Sequence, residues 1–390
     1  MFAVLGSCRA IVATLGCTKS QRNPLWSVAK SHAHESDLHY QYQYPMGGKK
    51  HEHGGETKGS SPAPKRAKKT VVKGPMLLED GFTVYPSEML ISKKHPEYTK
   101  PSQKILGLDM DNTLIYRKPD SKGKFMPEDE DDFVIFNPSV KSILEEYHNK
   151  GFGIVICSNQ GMIKSAMTGK ASGIIRGLVN RLLKELEGIP INVLLATADV
   201  RAGSEYRKPG TKMWEHFVKE MNDGVEPNKG DCLFVGDAAG RPSDINNGSD
   251  SDKKFAEAIG IAFKTPEEVF GPMGEGKKEN DALGRAFLEL ANVYLADYMD
   301  IPNKFFKAKF LKSSGQHILR HKDVITSSDQ LKGIKGIGEG SRKLVDQFLQ
   351  EGTLKDIQAI RSGVWEDPKE KKKNETAKTS KTMTVGQQFL

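Results

Sequence analysis

Short apolar runs recur through the middle of the chain, each followed by a stretch in which apolar residues return every three or four positions. The runs are KILGLD (104–109), GFGIVICS (151–158), INVLLAT (191–197), DCLFVGD (231–237) and IGIAF (259–263), with amphipathic stretches at about 138–149, 170–187, 211–222 and 252–258 between them. Brief apolar runs suit strands buried on both faces, and the longer periodic stretches suit helices. The alternation predicts a parallel sheet covered by helices on both faces. From about residue 280 the strand runs stop, and NDALGRAFLELANVYLADYM opens an all-helical pattern that continues to about residue 360.

Composition sets off both ends. Residues 31–75 are dominated by Pro, Gly, His and Lys and hold too little apolar surface to offset the entropy of ordering them. The first 34 residues contain no acid and resemble an organelle transit peptide, whereas Ser60-Ser61-Pro62-Ala63-Pro64-Lys65-Arg66-Ala67-Lys68-Lys69 has the pattern of a nuclear localisation signal. A nuclear address is expected, with a mitochondrial or other organellar one as the alternative. The final 25 residues, rich in Lys, Thr and Glu, read as a second tail.

Charge is unevenly spread. Residues 1–75 carry 12 Lys and Arg against 4 Asp and Glu, which accounts for the whole excess of +8. Residues 76–279 are slightly acidic at 27 against 32, and residues 301–345 are basic at 10 against 3. A nucleic-acid surface is therefore expected towards the C-terminus. The four cysteines form no CxxC pair, and Cys157 and Cys232 sit inside apolar runs, so reduced core thiols are expected rather than a zinc site. No stretch approaches the roughly 18 apolar residues of a membrane span.

Ligands of such sheets bind at the carboxyl ends of the strands. Three runs end there in polar residues: Asp109 and Asp111, Ser158 and Asn159, and Asp237. Phosphoryl transfer needs a nucleophilic carboxylate, an acid to protonate the leaving alcohol, a divalent metal to offset repulsion between anions, and donors for the phosphate oxygens. Asp109 can supply the first role and Asp111 the second. Lys208, in Arg207-Lys208-Pro209-Gly210, offers a cation.

These pieces, in this order, resemble the haloacid dehalogenase-like superfamily of phosphotransferases. The resemblance implies a phospho-aspartate at Asp109, with Asp111 as general acid and then base. It also implies that Ser158 and Lys208 grip the phosphate, and that Mg2+ is held by Asp109, Asp237 and the Asp111 carbonyl. The strings CSNQG, YRKPGTKMWEHF, VGDAAGR and SDSDKKFAEAIGIAFKTPEEVF resemble more narrowly the 3′-phosphatase domain of polynucleotide kinase 3′-phosphatases, over about residues 103–270. That likeness adds Asn159, Arg207 and Arg241 as substrate contacts and places Asp252 near the metal, where a helix N-cap is the alternative role. Asn112 stands where the family usually has glycine, and Asn tolerates left-handed backbone.

About fifty residues separate Asp111 from Ser158, and about fifty more separate Ser158 from Lys208; the sheet's own elements use up both intervals. A large cap domain is not expected, so binding energy should come from a macromolecule lying across the opening. Further on, LKGIKGIGEGSRKL (331–344) spaces its glycines for a tight turn that opens a helix, where freed backbone N–H groups can bind phosphate. It resembles a helix-hairpin-helix motif, and through VDQFLQEGTLKDIQAIR the helical domain of DNA polymerase beta-type enzymes. Gly336, Gly338, Lys335, Arg342 and Lys343 are the expected DNA contacts. Leu344 stands where that family carries its lyase lysine, so DNA binding is expected rather than lyase chemistry. Gly271–Lys278 satisfies GxxxxGK, but Lys278 replaces the Ser or Thr of a P-loop, and kinase activity is not expected.

The expected organisation is a basic tail (1–75), a capless Rossmann-like phosphatase domain (76–270), a linker (271–280), a helix-hairpin-helix DNA-binding domain (281–362) and a tail (363–390). The expected substrate is DNA with a 3′-phosphate end, with no membrane partner and protein partners unidentified. Two rivals remain: a phosphatase of small molecules or phosphoproteins, and a non-catalytic DNA-end scaffold.

Overall fold

The computed structural model describes residues 74–119, 121, 126–296 and 302–363. Both address-like segments, and nearly all of the two expected tails, lie outside these residues. Within them, the strands are β1 (Met76–Leu77), β2 (Thr83–Tyr85), β3 (Leu90–Lys93), β4 (Ile105–Leu108), β5 (Ile115–Tyr116), β6 (Val134–Ile135), β7 (Gly153–Asn159), β8 (Ile191–Ala196), β9 (Leu233–Val235) and β10 (Ala262–Lys264). The helices are α1 (Val140–Asn149), α2 (Lys170–Glu185), α3 (Lys212–His216, continued by a π-helical turn Phe217–Met221), α4 (Ser251–Ile259) and α5 (Pro266–Phe270). These are followed by α6 (Asp281–Ala296), α7 (Pro302–Leu319), α8 (Glu339–Glu351) and α9 (Lys355–Arg361).

The main sheet runs β1-β2-β3-β8-β7-β4-β9-β10. Its five strands from β8 to β10 are mutually parallel, and they are the five apolar runs. The expectation of a parallel sheet needs correction at one edge, where β3, β2 and β1 add antiparallel to β8. β1 and β2 are two and three residues long and partly exposed, and β3 is buried but only four residues long, so none has the apolar run that marks a central strand. A second addition is the β5–β6 hairpin, which fills part of the interval after β4.

Alternate residues of each central strand enter opposite cores, as the pleat requires. Leu106, Leu108, Ile154, Ile156, Val193 and Leu195 pack with Val140 and Leu144 of α1 and Ile175, Leu178 and Leu182 of α2. Ile105, Val155, Cys157, Leu194, Ala196 and Phe234 pack on the other face with Met213 and Trp214 of α3 and Phe255 and Ala256 of α4. Cys157 and Cys232 are buried free thiols. Gly107 lies on that second face, where a Cβ would come within 2.6 Å of the Phe234 ring.

The region after residue 280 is helical, as its pattern predicts. Gly284 of α6 and Gly315 of α7 let the two helices approach closely: a Cβ on Gly315 would lie 2.9 Å from the Gly284 carbonyl oxygen. Asn292 of α6 donates through Nδ2 to the carbonyls of Pro242 (2.7 Å) and Asp244 (2.9 Å), and Arg285 pairs with Glu267 of α5. These ties join the helices to the sheet, and the described residues up to 358 form one compact unit. No helix among the described residues is long and apolar enough to cross a membrane.

Gly107→Ala should displace the Phe234 ring and cost about 1–3 kcal/mol of unfolding free energy, the range for overpacking a filled core. Urea denaturation measures it. An unchanged midpoint would mean that the ring has room to move.

Candidate active site

Sheet register brings the site together. Leu108 is level with Ile156 on β7 and with Val235 on β9. Asp109 therefore follows one residue beyond that line, and Ser158 and Asp237 lie two beyond it on the flanking strands. The chain leaves β4 for β7 and β8 on one side and returns to β9 on the other, so β4 borders the crevice where strand order reverses. Asn112, in the turn after β4, has φ of 58°, the left-handed conformation that asparagine tolerates.

Lys208 is the centre of the cluster. Its ammonium is buried and lies 2.6 Å from Asp109 Oδ1 and 2.8 Å from Asp252 Oδ1, with the Phe234 ring centroid 5.2 Å away. Asp252 is in the first turn of α4 and is not its N-cap residue, which is Asp250. Its Oδ2 accepts from the Ala238 backbone N–H at 3.0 Å. Gly236 makes this possible, because a Cβ there would collide with the Asp252 carboxylate. Asp111 accepts at Oδ2 from Gln160 Nε2 at 2.7 Å, and the same amide donates to Ser158 Oγ at 3.0 Å.

Burial is the dominant electrostatic effect. It pushes the Asp109 carboxyl up to about 7, against the Lys208 ammonium, which pulls it down, and with Asp252 and Asp111, which add to the rise. Asp111 is raised by the same desolvation, opposed by the Gln160 hydrogen bond. Asp237 is raised well above the usual carboxylate range by burial and by the charges of Asp109 and Asp252. Burial alone would lower Lys208, but Asp109 and Asp252 reverse that and hold it above the usual lysine value.

One ammonium thus faces more carboxylates than it can neutralise. Asp109, Asp237 and Asp252 each offer an oxygen within 4.8 Å of the others, and Asp237 Oδ2 is buried without a hydrogen-bond partner among the described residues. All-oxygen donors and surplus negative charge fit a hard divalent cation such as Mg2+.

The remaining expected site residues divide by location. Asn159 spends both ends of its carboxamide on the Lys208 backbone, accepting from its N–H (2.9 Å) and donating to its carbonyl (3.1 Å). Arg207 donates to the Ala198 carbonyl at 3.1 Å and lies within the electrostatic reach of Asp109. Arg241 pairs with Asp244 and with Glu267. It lines a cleft of about 710 Å³ that also reaches Asn112, Asp237, Arg285 and Leu319. Gly336, with φ of 94°, and Lys335 occupy the turn before α8, Gly338 is the N-cap of α8, and Arg342 and Lys343 lie on its first turns. None of these five lines the cleft. Gln160 is the functional candidate missed from sequence: its signal was only its place in CSNQG, and an amide carries no charge pattern to betray a role.

The parallel sheet thus presents an aspartate pair, a lysine and further aspartates at its carboxyl edge, and the segment that carries them is similar to a phosphatase family. Residues 104–270 match the family described as polynucleotide kinase 3 phosphatase. A bifunctional polynucleotide phosphatase/kinase of Schizosaccharomyces pombe is 34% identical over 160 residues, 40% of this chain and 35% of that protein. Polynucleotide 3′-phosphatase ZDP of Arabidopsis thaliana is 31% identical over 179 residues, 44% of this chain and 24% of that protein. The chain thus spans about a third or less of the length of these relatives. Among solved structures, a D,D-heptose 1.7-bisphosphate phosphatase of B. bronchiseptica aligns at 17% identity over 41% of this chain and 78% of its own, with a TM-score of 0.30, too small a likeness to bear on the chemistry.

The raised Asp109 carboxyl makes a prediction about stability. An acid whose folded value lies above its unfolded one favours folding below the unfolded value, and that advantage is lost as pH rises through the folded value. In EDTA, Asp109→Asn should therefore gain stability relative to the unaltered protein between pH about 3.8 and about 7, then level off. Urea midpoints across that range test it; a difference independent of pH would contradict it.

Proposed function

We propose that this protein is a Mg2+-dependent polynucleotide 3′-phosphatase that clears 3′-phosphate ends from DNA strand breaks in repair. The observation that carries the reading is the buried Lys208 ammonium bridging Asp109 and Asp252, inside the segment similar to polynucleotide 3′-phosphatases. Asp109, Asp237 and the Asp111 carbonyl would hold the metal, with Asp252 beside them. Bound there, Mg2+ would offset the repulsion between an anionic nucleophile and an anionic ester.

In the first step an Asp109 carboxylate oxygen attacks phosphorus and the bond from phosphorus to the 3′ oxygen breaks. The leaving oxygen takes a proton from Asp111, whose burial favours the protonated form. In the second step the Asp111 carboxylate accepts a proton from water as that water attacks the phospho-aspartate. Inorganic phosphate leaves and Asp109 is regenerated. Ser158 Oγ and Lys208 Nζ hold phosphate oxygens, and Gln160 orients Asp111 relative to Ser158.

Residues 76–270 carry the chemistry in this reading, and residues 281–362 hold the DNA through the turn at Gly336 and Gly338, with the nucleus as the main site of action. No 5′-kinase activity is assigned to this chain. The GxxxxGK segment is packed: a Cβ on Gly276 would collide with the Leu319 carbonyl, and Met273 is buried. Release of phosphate from a nicked duplex bearing a 3′-phosphate, with Mg2+ and with EDTA, tests the reading. Activity should require Mg2+, be lost in Asp109→Asn and fall about 10²–10⁴-fold in Asp111→Asn, the usual contribution of general acid–base catalysis. Full activity in Asp109→Asn would overturn it.

A further inference from the structure

Helix α7 lies outside the segment that matches the phosphatase family, yet it brings a lysine to the mouth of the site. Lys312 Nζ donates to Asn247 Oδ1 at 3.1 Å, and Asn247 belongs to the loop that follows Asp237. Among the described residues this is the ammonium's hydrogen bond, and it forms no ion pair. Asp237 is the carboxylate whose charge it feels, while burial pulls the ammonium down to about 8. A half-buried cation with a neutral partner, beside a catalytic cluster, is a place where an anion is wanted.

The same helix exposes two aromatic rings. Phe306 and Phe310 are 58% and 57% exposed, one helical turn apart and so on one face. Lys309 is exposed as well and projects, by helical spacing, between that face and Lys312. Further along, Ser314 faces the glycine turn: its Oγ donates to the Gly336 carbonyl at 3.3 Å and bonds Ser341 Oγ at 2.9 Å. A single rigid helix therefore spans from the catalytic loop to the glycine turn.

We infer that α7 is the track for the single-stranded 3′ end entering the site: Lys312 holds the backbone phosphate next to the terminal nucleotide, and Phe310 and Phe306 stack the bases behind it. The inference rests on the proposed 3′-phosphatase reading and names how that site selects polynucleotides over mononucleotides. Cations along a helix complement a phosphate backbone, and exposed rings stack any base without reading sequence. Continuity with the catalytic cluster through Lys312 and Asp237 makes the substrate strand the occupant.

The test compares kcat/KM for a single-stranded octanucleotide 3′-phosphate with that for a nucleoside 3′-phosphate, in the full chain with Mg2+. Lys312→Gln should lower the ratio about tenfold and flatten the slope of log kcat/KM against log salt by about 0.7, the loss of one single-strand phosphate contact. Lys312→Arg should restore both. Phe306→Ala with Phe310→Ala should lower the ratio about tenfold or more, in keeping with the loss of base stacking, with the salt slope retained. Unchanged ratios in an active enzyme, or equal losses on both substrates, would overturn the inference. Turnover of the nucleoside phosphate but not the octanucleotide by the unaltered protein would instead overturn the proposed function.

Discussion

The buried ammonium of Lys208 is the constraint on which the rest of this site depends. Taking several carboxylates out of water at one sheet edge is costly, and an internal cation is what makes a charged cluster tolerable there. The triad Asp109–Lys208–Asp252 links three separate segments: the end of the strand β4, the loop after β8 and the first turn of α4. Asn159 anchors the Lys208 backbone, Gly236 admits Asp252, and Gly107 leaves space for the Phe234 ring beneath the ammonium. Removing any of these would disturb the electrostatics before it touched the chemistry.

Much of this was legible in the sequence, because both the strands and the acids obey strong local rules. The strands β4, β7, β8 and β9 are buried on both faces, and polar residues at the ends of β4, β7 and β9 mark the edge where such sheets bind ligands. Asp252 was readable only as one of two roles, since an aspartate near a helix start is ordinarily a cap; its pairing with Lys208 is a tertiary fact. The edge strands β1 to β3 were invisible because strands of two to four residues leave no continuous apolar signal. Gln160 escaped because it is uncharged, and the place of Lys312 beside the loop after Asp237 is a tertiary fact, since its partner Asn247 lies 65 residues away in sequence.

The helical region changes how the missing cap should be understood. Among the described residues, the interval after β4 holds the β5–β6 hairpin and α1 rather than a cap domain. Yet the site is not flanked by the sheet alone, because Arg285 and Leu319 from α6 and α7 line the cleft that reaches Asp237. A wall built from a following segment can accept a long polymer from the side, which an enclosing lid would prevent.

The central claim is that Asp109 is the nucleophile. It is tested most directly by quenching Asp111→Asn in acid during turnover of an oligonucleotide labelled at its 3′-phosphate. The account predicts label on the peptide containing Asp109, released by hydroxylamine as an acyl phosphate is. Phosphate release with no label on the protein would contradict it.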